Sequence, residues 1–188
     1  MAKAVTLIHL DAHGIKRPRR LRVYGRPIVS LYPGSEINIG DNVVMCSDSR
    51  STALGVSRPV IIRTLLAGAE VSIGSDCGLS GTVICAASRI EIGERCLFGA
   101  DVTIADTDFH PVSPARNRRR APIPTPGSAD RVQIGNDVFI GAGAQILKGV
   151  TIGDGAVIGA MSVVVHNVPN CAVYAGNPAR SIGTVDPT

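Results

Sequence analysis

The chain has 188 residues and a formal net charge of +4, and although 45% of its residues are hydrophobic, only 3% are aromatic. This length suits a single domain, and the shortage of aromatic side chains argues against a broad globular core, which usually uses them for volume. No apolar run approaches the length that crosses a membrane. The N-terminus has no apolar stretch typical of a signal peptide, so a cytoplasmic protein is expected.

Residues 1–32 follow no repeat and are predicted to form a basic N-terminal segment. The runs KRPRRLR at 16–22 and ARNRRR at 115–120 together hold nine of the 19 Lys and Arg residues. Such runs can bind nucleic acid or attract a ligand that carries phosphates. A solvated basic loop explains them more simply than nucleic acid does, and no nucleic acid partner is expected.

From residue 33 onward, large apolar residues recur at every sixth position, most regularly in IGAGAQILKGVTIGDGAVIGAMSVV at 140–164. Neither the helical period of 3.6 nor the strand period of 2 fits this spacing. A hexapeptide repeat is the sequence signature of a parallel β-helix, in which three short strands form one triangular coil. We therefore predict an all-β solenoid over residues 33–167, followed by a C-terminal tail at 168–188. The same phase includes residues further upstream: Ile39, Met45, Ile73, Leu79, Cys85, Ile92, Phe98, Ile104 and Ile134.

The five cysteines are predicted to be reduced packing residues. Their number is odd, no CxxC occurs, and Cys77 and Cys96 fall inside the repeat where a small apolar residue is required. Because no closely spaced Cys and His pairs occur, no metal site is expected.

The repeat is interrupted between Ile104 and Val132 by a segment rich in proline and arginine. A long loop ejected from a regular solenoid, here placed at 105–131, is a candidate functional element. The loop contains His110 between two aspartates and a proline. From the residues alone, His110 is either a general base or a histidine that caps a turn.

The segments ILKGVTIGDGAVIGAMSVV, AGNPAR at 175–180 and DTDFHPV at 106–112 resemble the hexapeptide-repeat acyltransferases. The similarity is strongest to the maltose/galactoside O-acetyltransferase branch and covers roughly residues 33–183. It implies a left-handed β-helix, whereas the usual crossover rule alone favours the right-handed form. It also implies a homotrimer, with acetyl-CoA as co-substrate in a groove between neighbouring prisms.

The resemblance favours His110 as the base that removes the acceptor proton. Asp106 or Asp108 would orient its imidazole, as a carboxylate does in a catalytic triad. The alternative for both aspartates is that they cap the loop turn.

The same resemblance implies that acetyl-CoA contacts several residues along the repeat, although the small ones could equally be ordinary corner residues. Arg180 would meet the phosphates of CoA, and Lys148 would support it because Gly183 replaces a basic residue common in relatives. The expected cofactor-binding residues are Ala142, Ala160, Val165, His166, Arg180 and Lys148. The acceptor is expected to contact Ser80, and, if it carries phosphates, the arginine run that includes Arg118, Arg119 and Arg120.

These observations predict an acetyl-CoA-dependent O-acetyltransferase that acts on a sugar hydroxyl, in the setting of surface polysaccharide biosynthesis. One alternative is an N-acetyltransferase that acts on an amino-sugar nucleotide with the same fold and base. A second alternative is a β-helix without catalytic activity that serves in binding or assembly. A γ-class carbonic anhydrase is excluded because the repeat region before its end offers only His110 as a metal ligand of the required type.

Overall fold

The chain folds into a left-handed parallel β-helix whose three flat faces are parallel sheets. The computed structural model describes residue 15 and residues 18–113 and 118–186. The two histidines that precede the repeat, His9 and His13, lie outside the described residues. Successive strands pass from one face to the next, so each strand pairs in register with the strand one coil away. For example, Ile140 pairs with Phe98 on one side and with Ile158 on the other.

The strands are assigned to the three faces as follows. Face 1 contains β1 (Arg22–Tyr24), β4 (Val44–Cys46), β7 (Gly78–Ser80), β10 (Leu97–Phe98), β13 (Phe139–Ile140), β16 (Val157–Ile158), β18 (Ala172–Gly176) and β19 (Ala179–Thr184). Face 2 contains β2 (Ile28–Ser30), β5 (Ile61–Thr64), β8 (Val83–Ala86), β11 (Thr103–Ala105), β14 (Gln145–Ile146) and β17 (Val163–Val164). Face 3 contains β3 (Glu36–Ile39), β6 (Glu70–Ile73), β9 (Arg89–Ile92), β12 (Val132–Ile134) and β15 (Thr151–Ile152).

The core is a narrow column of aliphatic side chains inside the prism. Each strand points one or two apolar residues inward, two of them in β3, β6, β9 and β12 of face 3. Each inward residue stacks on its equivalent in the next coil, away from water. Fully buried members include Met45, Leu79, Phe98, Ile140 and Ile158 from face 1 and Ile62, Ile84, Ile104, Ile146 and Val164 from face 2. The predicted six-residue repeat is confirmed by this stacking, with one local correction. Cys85 is only partly buried, and its neighbour Ile84 occupies the inward position.

The first coil begins earlier than the predicted boundary at residue 33. Strand β1 pairs with β4, and β2 pairs with β5, so residues 22–30 already belong to the stack. The inward residues Val23 and Val29 are six residues apart, but the longer turn between β2 and β3 breaks this phase before Ile37. Only the pairing with the second coil defines these strands.

The C-terminal residues also differ from the predicted tail at 168–188. Strand β18 extends face 1 by parallel pairing with β16, and β19 folds back antiparallel on β18. The turn between β18 and β19 contains a cis peptide bond between Asn177 and Pro178. This hairpin covers the last coil, which would otherwise leave backbone groups unpaired.

Cys77 and Cys96 are buried on neighbouring coils, and their thiols donate to the carbonyl oxygens of Gly93 and Gly135. All five cysteines are free thiols, in agreement with the prediction.

Two loops leave the stack, and they leave at different edges of face 2. The loop at 47–60 contains a short 3-10 helix, Ser49–Ser51, and lies at the corner between faces 1 and 2. The ejected loop at 106–131 contains the 3-10 helices Arg118–Arg120 and Ser128–Asp130 and lies at the corner between faces 2 and 3. We call the first corner, which includes Gly81, Ala100, Ala142 and Ala160, the groove edge. The second corner, which includes Lys148 and His166, is the loop edge.

Within the described residues, no helix has the length and the apolar character needed to cross a membrane.

Candidate functional site

His110 lies where the ejected loop turns away from the stack. Ala105, Asp106 and Thr107 are buried, whereas the next three residues, Asp108 to His110, are exposed. Phe109 adopts a left-handed backbone conformation with φ of 60°, and the N–H of His110 donates to the carbonyl oxygen of Asp108 at 2.6 Å. His110 lines a shallow depression of about 330 Å³ with Asp108 and Pro111. The sharp turn therefore presents the imidazole at the surface of the loop edge.

Asp106 does not share this exposed position, because it is fully buried under the loop. Its carboxylate oxygens accept hydrogen bonds from the backbone N–H of Ala87 at 2.6 Å and of Ser88 at 2.8 Å. Burial raises the pKa of Asp106 above its usual value, and these hydrogen bonds oppose that rise. Asp106 thus caps the corner of the preceding coil, a role different from both the orientation of His110 and the capping of the loop turn that the sequence offered.

Asp108 is held by Lys148, which also contacts the far end of the loop. The ammonium nitrogen of Lys148 lies 2.8 Å from Oδ2 of Asp108 and 3.4 Å from Oδ1 of Asp130. The N–H of Gly149 donates to the carbonyl oxygen of Asp130 at 2.8 Å. The hydrogen bond with Asp108 raises the pKa of Lys148. Lys148 therefore holds both ends of the ejected loop against the next coil, at a point close to His110.

If His110 is the general base expected from the sequence, replacing Lys148 with methionine should lower kcat several-fold and leave the KM for acetyl-CoA unchanged, because the loop that carries His110 would lose its support. The unfolding free energy should change by no more than about 1 kcal/mol, as for other exposed ion pairs. Steady-state kinetics test this, with Arg95→Met as the control, since Arg95 pairs with Asp137 at another corner. A raised KM for acetyl-CoA would instead support the cofactor contact predicted from the sequence.

A groove of about 620 Å³ runs along the groove edge. Its floor includes Ala100, Ala142 and Ala160, three small residues at equivalent positions of successive coils. The preceding glycines allow this close stacking: a Cβ atom added to Gly141 would lie 2.5 Å from the backbone nitrogen of Ala160. The small side chains leave backbone atoms accessible along the groove, as an elongated ligand with amide groups requires.

The hairpin of β18 and β19 ends at the same edge. The N–H of Gly176 donates to the hydroxyl of the buried Ser162 at 3.1 Å, and Ala175 pairs with Arg180 across the hairpin. Arg180 is exposed, one coil beyond Ala160. Ala142, Ala160 and Arg180 therefore follow one another along the groove edge.

The remaining predicted cofactor residues lie across face 2. Val165 and His166 follow β17 at the loop edge, one coil beyond Lys148, and His166 is exposed. The two edges are separated by the width of face 2, about 15–20 Å for the residues between Ala100 and Asp106 in extended form. The structure thus divides the predicted site into two halves that a single chain does not bring together.

The predicted acceptor residues are also dispersed. Ser80 ends β7 at the groove edge and lines a depression of about 440 Å³ on face 1 with Cys46 and Leu97. Arg118 and Arg119 belong to the short 3-10 helix of the ejected loop, and Arg119 is exposed. Neither set shares the groove that contains Ala142.

Sequence reasoning did not identify the loop at 47–60 as part of this region. Ser57 and Arg58 of that loop line the groove beside Asp101 and Thr103. The only signal in the sequence was the interval of 17 residues between Met45 and Ile62, where the repeat predicts six. This interval shows that a loop exists but not where it packs.

Within residues 18–113 and 118–186, no group of three or more His, Cys, Asp or Glu side chains could hold a metal ion.

The fold and the corner groove define a hexapeptide-repeat β-helix, and comparisons with known proteins agree. The family model described as bacterial transferase hexapeptide (six repeats) matches residues 131–166, and the model for the hexapeptide repeat of succinyl-transferase matches residues 89–107. Over these two segments the chain carries the hexapeptide repeat of the bacterial transferases.

Three similar proteins illustrate the range of this family. The galactoside O-acetyltransferase of Lactococcus lactis is 42% identical over 89 residues, which is 47% of this chain and 40% of that protein. The 2,3,4,5-tetrahydropyridine-2,6-dicarboxylate N-acetyltransferase of Clostridium perfringens is 57% identical over 53 residues, 28% of this chain and 22% of that protein. A solved galactoside acetyltransferase in complex with coenzyme A has a TM-score of 0.52 and 26% identity, with 88% of this chain and 64% of that chain covered. The matched part thus spans less than half the length of these two sequence relatives.

Proposed function

We propose that the protein is an acetyl-CoA-dependent acetyltransferase that transfers the acetyl group to a sugar hydroxyl, with His110 as the general base. The observation that carries this proposal is the groove of small residues at Ala142 and Ala160, which Arg180 follows one coil further along the same edge. The resemblance to the family assigns this edge to acetyl-CoA. The solved galactoside acetyltransferase that this chain resembles was crystallised with coenzyme A. The setting that the resemblance implies is surface polysaccharide biosynthesis.

The groove edge suits the shape and charge of this co-substrate. Ala142 and Ala160 leave room for a thin amide-bearing arm, and Arg180 offers an exposed guanidinium for phosphate oxygens. Acetyl-CoA supplies the acyl group as a thioester, so the chain itself must bind the arm, place the acceptor hydroxyl and remove its proton.

His110 removes the proton of the acceptor hydroxyl. A neutral imidazole accepts the hydroxyl proton as the oxygen attacks the acyl carbon. The C–S bond of the thioester then breaks, and the imidazolium returns the proton to the departing thiolate of CoA. This type of base catalysis contributes about 10²–10⁴-fold. The loop keeps His110 exposed, and Lys148 fixes the neck of the loop through Asp108 and Asp130. Backbone N–H groups at the groove edge could stabilise the negative charge that develops on the acyl oxygen.

A trimer would join the two halves of the site. The interface in a threefold ring is heterologous and joins two different surfaces of the chain, so the loop edge of one protomer can meet the groove edge of its neighbour. Face 1 exposes Tyr24, Leu97 and Phe139 and face 2 exposes Ile28, whereas face 3 carries charged side chains such as Arg89 and Glu91. Apolar side chains on two faces favour burial between copies.

The alternative function is N-acetylation, which the match to the N-acetyltransferase of Clostridium perfringens favours. The fold and the base would be the same, and only the acceptor atom would differ. Treatment of the radiolabelled product with hydroxylamine distinguishes the two, since an ester is cleaved and an amide largely survives. Loss of the label from the product would support O-acetylation.

Replacing Ala160 with leucine should weaken CoA binding at least tenfold, because the added side chain fills the groove. Thermal unfolding measured at increasing CoA concentration gives the apparent Kd of each variant. Thr151→Leu is the matched control, since it enlarges an exposed side chain on face 3 and should bind CoA as the wild type does. If CoA does not stabilise the wild-type protein, the function is not CoA-dependent and a binding or assembly role gains support.

A further inference from the structure

The loop at 47–60 extends along the groove edge beyond the strands that it connects. It leaves the second coil after Cys46, yet Ser57 and Arg58 contact Asp101, two coils further along. Gly81 makes this approach possible, because a Cβ atom there would lie 3.0 Å from the carbonyl oxygen of Arg58. The loop therefore closes the end of the groove that is opposite Arg180.

Asp101 holds the loop in this position. The N–H of Ser57 donates to both carboxylate oxygens, at 3.1 and 3.0 Å, and Arg58 Nη2 donates to the carbonyl oxygen of Asp101 at 3.1 Å. Arg58 Nε lies 3.9 Å from Oδ1. Asp101 itself has a left-handed backbone conformation with φ of 62°, which turns its carboxylate outward from the corner towards the loop.

The contact between Asp101 and the loop at 47–60 lies at a defined level along the prism axis. Asp101 directly precedes β11, and the loop that carries His110 leaves directly after β11, so this loop starts on the coil of Asp101. Asp108 of the loop pairs with Lys148 one coil further along, which is the coil of Ala142. Rotation about a threefold axis parallel to the prism leaves each coil at its own height. In the proposed trimer, His110 of one protomer therefore lies within one coil of the Asp101 contact of its neighbour, whereas Ala160 lies two coils beyond Asp101.

We propose that the loop at 47–60 forms the acceptor-side wall of the site and that Asp101 is the residue that positions this wall. This inference rests on the proposed function. The co-substrate occupies the coils of Ala142, Ala160 and Arg180, so the space beyond its thioester lies between the loop and the imidazole of the neighbouring protomer. Ser49, Ser57 and Thr103 supply hydroxyl groups there, next to the exposed side chain of Leu54. Changes in this loop should therefore alter which acceptor is used and leave binding of the co-substrate unaffected.

The test is a comparison of Asp101→Asn with Asp137→Asn. Asparagine tolerates the left-handed conformation at both positions, and Asp137 also has a positive φ and pairs with an arginine, but at the corner between faces 3 and 1. Free-thiol release is measured with methyl β-galactoside, glucosamine and serine as acceptors. For the acceptor that the wild type uses, Asp101→Asn should raise the acceptor KM at least tenfold and leave the KM for acetyl-CoA within about twofold. Asp137→Asn should change neither value.

Equal acceptor KM values for Asp101→Asn and Asp137→Asn would overturn the inference while leaving the proposed function intact. So would a parallel rise in both KM values of Asp101→Asn, since the loop would then serve the co-substrate. A wild type that CoA stabilises but that accepts none of the three probes would show that the wall does not admit such acceptors. A wild type that CoA does not stabilise would remove the proposed function itself. If Asp101→Asn does not fold, Arg58→Gln removes the ion pair from the loop side and should show the same shift.

Discussion

Replacing His110 with alanine should lower kcat by about 10²–10⁴-fold, the usual contribution of a positioned general base. His110 is exposed and its side chain fills no part of the core, so the unfolding free energy should change by no more than about 0.5 kcal/mol. The KM for acetyl-CoA should stay close to that of the wild type. The measurement is initial-rate kinetics with the best acceptor, together with thermal unfolding of both proteins.

Val112→Ala is the matched control for this experiment, because Val112 is on the same loop and is 71% exposed. It should retain wild-type kcat. A His110→Ala protein with undiminished kcat would exclude His110 as the base and would favour the turn-capping role that the residues alone allow.

The same variant tests whether the site is shared between protomers. Protomers with His110→Ala and protomers with Ala160→Leu should each be inactive alone, but trimers formed after mixed refolding should regain activity. If equal amounts of the two variants mix at random, about a quarter of the sites combine an intact groove of one protomer with an intact His110 of its neighbour. Failure of complementation in trimers of confirmed mixed composition would place both halves of the site in one chain.

Replacing Asp106 with alanine should lower the unfolding free energy by about 2–4 kcal/mol. The change leaves the buried N–H groups of Ala87 and Ser88 without an acceptor and opens a small cavity under the loop. Chemical denaturation followed by circular dichroism measures this loss. Asp108→Ala is the control on the same loop, and because Asp108 is exposed, its effect should stay within about 1 kcal/mol.

The stability difference between wild type and Asp106→Ala should also depend on pH. Burial raises the pKa of Asp106, so the ionised carboxylate is disfavoured in the folded state relative to the unfolded chain. The wild type therefore gains stability relative to the variant as the pH falls through the folded pKa towards the ordinary aspartate value. A difference that shrinks over the same range would mean that the hydrogen bonds outweigh burial.

The six-residue repeat determined the fold of this protein from the sequence alone. The column from Ile146 to Val164 needs only local spacing, because each coil packs on its neighbours and no distant segment intervenes. The limits of the stack were harder to predict. Strands β1 and β2 are defined by their pairing with the next coil, and Cys85 faces outward because the corner at Gly81 shortens the interval to Ile84.

The sequence also indicated which residue types the site requires, but not how they are grouped. His110 was recognisable as a titratable side chain in an ejected loop, and Ala142 and Ala160 as small residues within the repeat. Their separation on two edges of face 2 depends on which corner each coil position occupies, and this is a property of the whole stack. Asp106 and Asp108 are only two residues apart, and the sequence does not distinguish their roles. Asp106 is buried and acts as a structural cap, whereas Asp108 is exposed and pairs with Lys148. The contact of Asp101 with the loop at 47–60 joins residues more than 40 positions apart, so only the tertiary structure could place that loop at the end of the groove.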